Sequence, residues 1–279
     1  MEFSSWQIEK GEGVLGTCIL GTDLNAVSDP LTFGYVKTLL WKYRLLIFRN
    51  QLLTPRGHER FAMRLGVLRQ PPLEQCVFMT NYVQRVIKNE KDHYNFGGAW
   101  HTDASFRARP PEATMLQAVE LPSTGGDTLF ADCVLAFETL PEYFRKRLVN
   151  ISGVHRAHGV IDPANYVPEH YENDGIGNTA THPVINRHPY ADNSYLYVNE
   201  TFTKSLSGMS VEESKQMLAD LNQHITHPAR VYRHQWRSGD VLLWDNRTTQ
   251  HCAINDYTGQ KRVMYRTVIL DTTKINNDL

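Results

Sequence analysis

The last third of the chain carries the pattern that most restricts its fold, a run of four short strand-like segments. Each has five to nine residues, and turns separate it from the next. Many short strands separated by turns are typical of sandwiches and barrels. Because helices are predicted only near the start and in the middle, we expect a mostly β protein, a double-sheet jelly roll with added helices. The four segments are 231–236, 240–244, 248–253 and 262–270.

Capping residues and apolar spacing predict the other elements. Thr54 and Pro55 form an N-cap and a first-turn proline, so a helix is expected to about Leu65. Ser210 and Glu213 form a capping box for a helix that ends near residue 226. The remaining predictions are helices at 30–43, 134–140 and 141–149, short strands within 6–21, strands at 44–48, 77–86, 112–121 and 127–131, and a hairpin of 182–187 with 194–199.

Two polar segments, 87–98 and 157–181, are predicted to be lid or insertion loops. The first ends in Gly97 and Gly98, and the second is rich in Gly, Asn, Asp and Pro without an apolar period. Loops as long as the second are usually functional or disordered. Because no repeat, low-complexity segment or linker interrupts the chain, we predict that residues 1–279 form a single domain.

Composition removes several classes of partner. The formal net charge of −1 gives no field that would attract nucleic acid or an anionic membrane. The sequence contains no run of 18 apolar residues, so no membrane span is predicted. Its start does not resemble a signal peptide, so secretion is not expected. The four cysteines form no C-x-x-C motif, which indicates reduced thiols in a cytoplasmic protein. These thiols are Cys18, Cys76, Cys133 and Cys252.

The stretch Trp100-His101-Thr102-Asp103 offers two metal ligands. Residues two apart on a strand-like segment project to the same side, so the nitrogen of His101 and the oxygen of Asp103 can meet one ion. His251, after an apolar strand and a polar turn, is the candidate for a third ligand, and a satisfied, half-buried histidine is its alternative. Two histidines and one carboxylate are diagnostic of non-haem Fe(II) oxygenases. The triplet by itself occurs about once by chance, so a strand histidine and a turn aspartate remain the alternative.

Arg262 and Arg266 lie in an otherwise apolar strand, four residues apart and on one face. A strand interior buries charge only when an anion meets it, so both side chains are predicted to project into one cavity. The alternative for each is a solvated surface arginine.

These motifs, with the turn Pro122-Ser-Thr-Gly-Gly-Asp-Thr128 and the segment Trp244-Asp-Asn-Arg-x-x-x-His251, resemble the TauD/TfdA (taurine dioxygenase-like) family over nearly the whole chain. The resemblance implies a double-stranded β-helix (jelly-roll) core and an oxidoreductase that uses Fe(II), 2-oxoglutarate and O₂. It implies oxidation, most simply hydroxylation, of a small anionic substrate with release of succinate and CO₂. Dimers or tetramers are expected only by analogy with the family.

The resemblance also implies roles for individual residues. His101, Asp103 and His251 match the iron ligands, Thr128 and Arg262 match the residues that bind the distal carboxylate of 2-oxoglutarate, and Arg266 matches an arginine that binds the substrate's anionic group. Pro71 stands where the taurine enzyme has a histidine, and Gly97-Gly98 has a glycine where that enzyme has an asparagine, so taurine is not the expected substrate. The further predicted substrate contacts are Tyr94, Asn95, Phe96 and Asn199.

Several alternatives stay open at this stage. Arg266 can instead form a structural ion pair, and Asn199 can instead cap a turn. The same iron ligands support desaturation or oxidative decarboxylation. Outside this class, a cupin-like metal hydrolase would use His155-x-x-His158 or His224-x-x-His227, although no H-E-x-x-H motif exists. A non-catalytic ligand-binding module would require a broken ligand triad.

Overall fold

The computed structural model describes residues 5–11, 13–157 and 178–270, which fold mostly into strands. In chain order the strands are β1 (Gln7–Lys10), β2 (Thr17–Leu20), β3 (Leu45–Phe48), β4 (Val67–Leu68), β5 (Gln84–Lys88), β6 (Pro111–Glu120), β7 (Thr128–Asp132), β8 (Ser152–Arg156), β9 (Thr179–Pro183), β10 (Ile185–Arg187), β11 (Ser194–Leu196), β12 (Thr203–Leu206), β13 (Val231–His234), β14 (Val241–Asp245), β15 (Thr249–Ala253) and β16 (Arg262–Leu270). The helices are α1 (Pro30–Tyr43), α2 (Pro55–Leu65), α3 (Cys133–Glu138), α4 (Glu142–Leu148) and α5 (Val211–Ile225).

Two facing sheets form the jelly roll. The large sheet has the order β1-β2-β3-β14-β6-β16, and β4 and β5 both pair with β16. The second sheet, β13-β7-β15, lies against it. Phe130 of β7 and Trp244 of β14 meet between the two sheets, with ring centroids 5.4 Å apart. Because β15 and β16 lie on different sheets, their inward-facing side chains reach the space between them.

Strand β3 shows how the layers are built, because both of its faces are buried. Leu45 and Ile47 pack with Phe130 between the sheets. Leu46 and Phe48 face the other way and pack in the cluster that contains the apolar residues of α1 and α2. A strand covered on both faces becomes a continuous apolar run. The large sheet is therefore a middle layer between the helices and the second sheet.

The predicted capping signals are confirmed. The hydroxyl of Thr54 accepts from the Gly57 amide at 3.0 Å, and Pro55 begins α2. Ser210 and Glu213 form both bonds of the capping box at the start of α5. Strand β16 has the predicted bounds, and the other three strands of the C-terminal run lie within two residues of their predicted bounds.

The predicted strand 77–86 is wrong over most of its length. Residues 77–83 form a turn, and β5 begins only at Gln84. The amide and hydroxyl of Thr80 both donate to the Val77 carbonyl, and Met79 has a positive φ of 66°. Phe78 and Met79 are exposed, whereas Val77 and Val83 are buried at the two ends of the turn.

Two loop boundaries also need correction. The loop predicted at 87–98 starts after Lys88, which ends β5. In the segment predicted as a loop at 157–181, residues 179–181 belong to β9, which pairs with β8. Residues 158–177 lie outside the described residues. The predicted hairpin exists as β10 with β11, but His182 and Pro183 belong to β9.

Two features bear on the cellular setting. In the described ranges, no helix is long and apolar enough to cross a membrane. The four cysteines named above are free thiols.

Candidate active site

His101, Asp103 and His251 meet at one point, and we call them the His–Asp–His cluster. Their ligand atoms lie within 4.8 Å of one another, and all three residues are buried. The Nε2 atoms of His101 and His251 are 3.8 and 3.9 Å from Asp103 Oδ1. The prediction that His101 and Asp103 share a strand is wrong, because His101 forms an isolated bridge and Asp103 lies in the following turn.

The backbone fixes the two segments that carry the cluster to each other. The His101 amide donates to the His251 carbonyl at 3.1 Å, and the His251 amide donates back at 2.9 Å. The Thr102 hydroxyl donates to the Thr249 carbonyl at 3.0 Å. Because His251 lies at the centre of β15, these bonds attach the Trp100–Asp103 stretch to the second sheet.

The donor set fits a divalent transition metal. Nδ1 of His101 lies 2.8 Å from the Ala99 carbonyl, which can only accept, so we assign the ring proton to Nδ1 and a free lone pair to Nε2. Burial lowers the pKa of His101. Burial, reinforced by the neighbouring His101, holds the pKa of His251 well below its usual range. Two neutral imidazoles and a carboxylate are a donor set that suits Fe(II).

Both oxygens of the Asp103 carboxylate have partners. Oδ2 accepts from the Thr114 hydroxyl at 2.6 Å, and that hydroxyl accepts from the Asn246 amide at 2.9 Å. Oδ1, which faces the two histidines, lies 2.7 Å from Nη2 of Arg266. Burial raises the pKa of Asp103, but Arg266 and both histidines lower it by more, so it lies well below its usual range. The carboxylate is therefore ionised at neutral pH.

Arg266 is buried beside the cluster, with 5% of its surface exposed. Its Nη1 donates to Gln84 Oε1 at 3.1 Å, and its guanidinium lies 5.7 Å from the centre of the Phe96 ring. It lines one small cleft together with Pro71 and Pro72. Arg266 thus forms the ion pair with Asp103 that was one interpretation of the sequence. Its position beside the cluster also allows the other interpretation, contact with an anionic group of the substrate.

Thr128 and Arg262 come together around two aromatic residues, and we call Thr128, Trp236, Tyr257 and Arg262 the carboxylate pocket. The indole of Trp236 donates to the Thr128 hydroxyl at 3.0 Å, and the Arg262 guanidinium lies 5.7 Å from the Trp236 ring. Arg262 also hydrogen-bonds Tyr257, while burial lowers its pKa. Gly126 borders the pocket, has a positive φ of 72°, and a Cβ on it would lie 3.1 Å from Pro122 Cγ and 3.4 Å from Arg262 Cδ.

Two nitrogens of Arg262 indicate what the pocket lacks. Nε and Nη2 are buried, and no described residue accepts a hydrogen bond from them. A buried guanidinium is stabilised by an anion with two oxygens in the plane of its fork. The carboxylate pocket therefore fits one end of a dicarboxylic co-substrate.

The other predicted contacts lie in different environments. Phe96 lies near Arg266, as described above, and Asn95 is buried with its amide donating to the Ala253 carbonyl at 3.0 Å. Tyr94 is 57% exposed. The Asn199 amide donates to Ser105 Oγ and accepts from the Phe202 amide, so both ends of its side chain have protein partners.

Sequence reasoning missed Thr114, Gln84 and Trp236, which hold the predicted residues in place. Thr114 is a buried hydroxyl within β6, whose neighbouring positions are mainly apolar, and that contrast was the available signal. Gln84 fell inside the incorrectly predicted strand 77–86. The contact of Trp236 with Thr128 joins residues more than 100 positions apart, so no local pattern indicates it.

The histidines considered for a hydrolase do not gather. Nε2 of His224 lies 2.8 Å from the Ala136 carbonyl, and Nδ1 of His155 lies 3.0 Å from Ser105 Oγ. His158 lies outside the described residues. Among the residues that the structure describes, the His–Asp–His cluster is the group of His, Cys, Asp and Glu side chains arranged to hold a metal.

Comparison with known proteins shows which family the chain resembles in sequence and in structure. The family model described as "Taurine catabolism dioxygenase TauD, TfdA family" matches residues 9–268. The chain is 30% identical to the alpha-ketoglutarate-dependent sulfate ester dioxygenase of Pseudomonas putida, over 95% of this chain and 90% of that protein. It is 32% identical to the alkylsulfatase of Acinetobacter baylyi, over 93% of this chain and 83% of that protein. A taurine dioxygenase structure from Burkholderia xenovorans matches with a TM-score of 0.81 and 29% identity, and the match covers 95% of this chain and 89% of that one.

The family match covers nearly all the described residues, and the solved relative shares the jelly-roll fold. The donor set of the His–Asp–His cluster and the unpaired guanidinium nitrogens of the carboxylate pocket agree with it. The chain therefore belongs to the TauD/TfdA family, and it is an Fe(II)- and 2-oxoglutarate-dependent dioxygenase that acts on a small molecule.

Proposed function

We propose that the substrate is a small organic anion and that sulfate esters are the class this enzyme oxidises. The observation that carries the proposal is Arg266, a buried guanidinium whose Nη2 lies 2.7 Å from Asp103 Oδ1. A permanent planar charge next to the metal ligands suits an anionic oxygen group on the substrate. The names of two relatives, a sulfate ester dioxygenase and an alkylsulfatase, support this class.

The residues take distinct roles in this proposal. The His–Asp–His cluster holds the iron, Thr128 and Arg262 bind the distal carboxylate of 2-oxoglutarate, and Arg266 orients the substrate's anionic group. When bound, the iron with 2-oxoglutarate and O₂ supplies the oxidation, in which one oxygen atom ends in succinate and the other in the product. Because all of these side chains are buried, the protein also limits access of water.

The substrate side departs from that of the taurine enzyme. Pro71, which stands where the taurine enzyme has a histidine, lines the cleft that contains Arg266. Gly97, one of the two glycines where that enzyme has an asparagine, has a φ of 77°, and a Cβ on it would lie 3.0 Å from Cε1 of His101. A side chain at position 97 would therefore be strained as well as crowded. The chain thus keeps the arginine but has neither of the other two polar contacts.

The proposed reaction balances without a further reactant. Hydroxylation of the carbon that carries the ester oxygen gives a hydroxyalkyl sulfate. Its C–O bond to sulfate breaks with the electron pair leaving on the sulfate oxygen, while the new hydroxyl loses its proton. The products are an aldehyde and hydrogensulfate, together with succinate and CO₂ from the co-substrate.

The test compares hexyl sulfate, hexanesulfonate, hexanoate and taurine at equal concentration with Fe(II) and 2-oxoglutarate. Succinate, O₂ uptake and free sulfate are measured together. We expect hexyl sulfate to raise succinate formation above the substrate-free rate and to release sulfate in a 1:1 ratio with it. Succinate formation that no sulfate ester raises, or hexanal formation without sulfate, would refute the proposed class.

Arg266→Gln separates the role of the arginine from that of the metal site. We expect a KM for hexyl sulfate that rises at least tenfold, since a charged hydrogen bond contributes about 1.5–3 kcal/mol. Because Arg266 also pairs with Asp103, the KM values are compared at saturating Fe(II), and the rise in KM should exceed any change in the substrate-free consumption of 2-oxoglutarate. A KM that stays at the wild-type value would assign Arg266 to the ion pair with Asp103 alone.

Two coarser properties are also proposed. We propose a homo-oligomer, a dimer or a tetramer, on family analogy, with light scattering of the purified protein as the test. We propose a cytoplasmic location, which the four free thiols support. Fractionation of cells that express the chain without a tag tests this location.

A further inference from the structure

Lys88, the last residue of β5, is a buried lysine without an anionic partner. It is 4% exposed, and its Nζ is buried with no hydrogen-bond partner among the described residues. The contact that Nζ makes is aromatic, because it lies 4.3 Å from the centre of the Tyr257 ring. A buried ammonium is costly unless an anion pairs with it. The position therefore suits an anion that the described residues do not supply.

Lys88 lies beside the carboxylate pocket. The antiparallel register of β5 and β16 places Lys88 directly opposite Arg262, and residues opposite each other in such a pair project to the same face. Tyr257 joins the two, because its ring contacts Lys88 Nζ and its side chain hydrogen-bonds Arg262. The structure thus brings two buried cations to one aromatic residue.

The acidic residues around this pocket already have other partners. Glu120 accepts from Lys261 at 2.9 Å. Asp127 and Asp256 both pair with Arg233, at 2.6 and 3.5 Å. In the parts of the chain that the structure describes, neither Lys88 nor Arg262 forms a salt bridge. The unpaired charge in the pocket is thus two positive groups rather than one.

We propose that Lys88 is a co-substrate-binding residue that, with Arg262, binds the distal carboxylate of 2-oxoglutarate. The inference rests on the proposed function, in which Arg262 binds that carboxylate. A guanidinium offers a fixed planar fork, whereas an ammonium is a compact charge that reaches a remaining lone pair of the same carboxylate. Two cations on one carboxylate make the pocket selective for a dicarboxylic 2-oxo acid over a monocarboxylic one.

The test measures equilibrium binding without turnover. Calorimetry under anaerobic conditions gives the Kd of Mn(II)-loaded wild type and Lys88→Met for 2-oxoglutarate and for 2-oxopentanoate, which has a methyl group in place of the distal carboxylate. We expect Lys88→Met to weaken 2-oxoglutarate at least tenfold and to leave 2-oxopentanoate within twofold. The Tm of the metal-free variant should equal or exceed the wild-type value, because methionine removes an unpaired buried charge. Lys88→Arg should restore part of the affinity.

Lys261→Met is the matched control. It removes the same charge next to Arg262 in sequence, but from a partly exposed side chain paired with Glu120, so both affinities should stay within twofold of wild type. An unchanged 2-oxoglutarate Kd in Lys88→Met, or equal weakening of both ligands together with a lower Tm, would overturn the inference and show a structural lysine. If folded wild type binds neither ligand, the proposed function fails first and the inference with it.

Discussion

Thr114→Val is expected to weaken both the fold and the metal site. The Thr114 hydroxyl donates to Asp103 Oδ2 at 2.6 Å and accepts from Asn246 Nδ2 at 2.9 Å. Thr114 and Asn246 have no exposed surface, and Asp103 is 5% exposed, so water does not replace a lost partner. Valine has the same shape as threonine, so the substitution removes the hydroxyl and little else.

The size of the effect follows from the two bonds. A hydrogen bond to a charged group contributes about 1.5–3 kcal/mol and a neutral one about 1 kcal/mol. We therefore expect the metal-free protein to lose roughly 2–4 kcal/mol of unfolding free energy, which for a chain of this size lowers the Tm by roughly 3–7 °C. Since the hydroxyl also orients Asp103, metal affinity should fall about 10–100-fold.

Thermal unfolding of the metal-free protein and competition for Mn(II) with a chelator measure the two effects. The control is Thr267→Val on β16, because the Thr267 hydroxyl is equally buried but has no partner among the described residues. That variant should be as stable as wild type or more stable. Equal Tm values for the two variants would refute the energetic argument for Thr114, and unchanged Mn(II) affinity would refute its orienting role.

Three further predictions concern stability. Burial lowers the pKa of His58 to about 4, so the unfolded chain binds a proton that the folded protein does not, and stability should fall by up to about 3 kcal/mol as the pH falls from 6.5 to 4. His58→Gln should flatten this slope in denaturant titrations, while the exposed His93→Gln should not. Gly97→Ala should lower the unfolding free energy by about 1–3 kcal/mol in urea titrations, because Gly97 has a positive φ and the new Cβ would crowd the His101 ring. Ser210→Ala should cost about 1 kcal/mol in the same assay and leave succinate formation unchanged.

The sequence predicts well where the determining signal is local. The start of α5 follows from Ser210 and Glu213, whose bonds both lie within four residues. The His–Asp–His cluster is predictable for a different reason, because few residue types bind Fe(II) and a histidine two positions from an aspartate is a short pattern. Even so, the sequence suggested a strand for His101 and Asp103, where the structure has a bridge and a turn.

The turn at 77–83 shows why other parts could not be predicted. A carboxylate oxygen of Glu59, on α2, accepts from the Asn81 and Tyr82 amides at 2.7 and 2.9 Å. Glu59 precedes these two residues by 22 and 23 positions, so the sequence around the turn does not indicate this contact. Lys88 was included in a polar loop for a related reason, since only the pairing of β5 with β16 shows that it faces a buried pocket.

The two halves of the site are prepared differently for their ligands. In the His–Asp–His cluster the protein satisfies the carboxylate itself, through Thr114 on one oxygen and Arg266 on the other. In the carboxylate pocket, Arg262 keeps two buried nitrogens without a partner. Folding without ligands therefore leaves the larger desolvation cost on the co-substrate side. A dicarboxylate that pairs with these nitrogens does not have to desolvate them again. The free energy that this desolvation costs is therefore already spent on folding, and it does not reduce the affinity for the dicarboxylate.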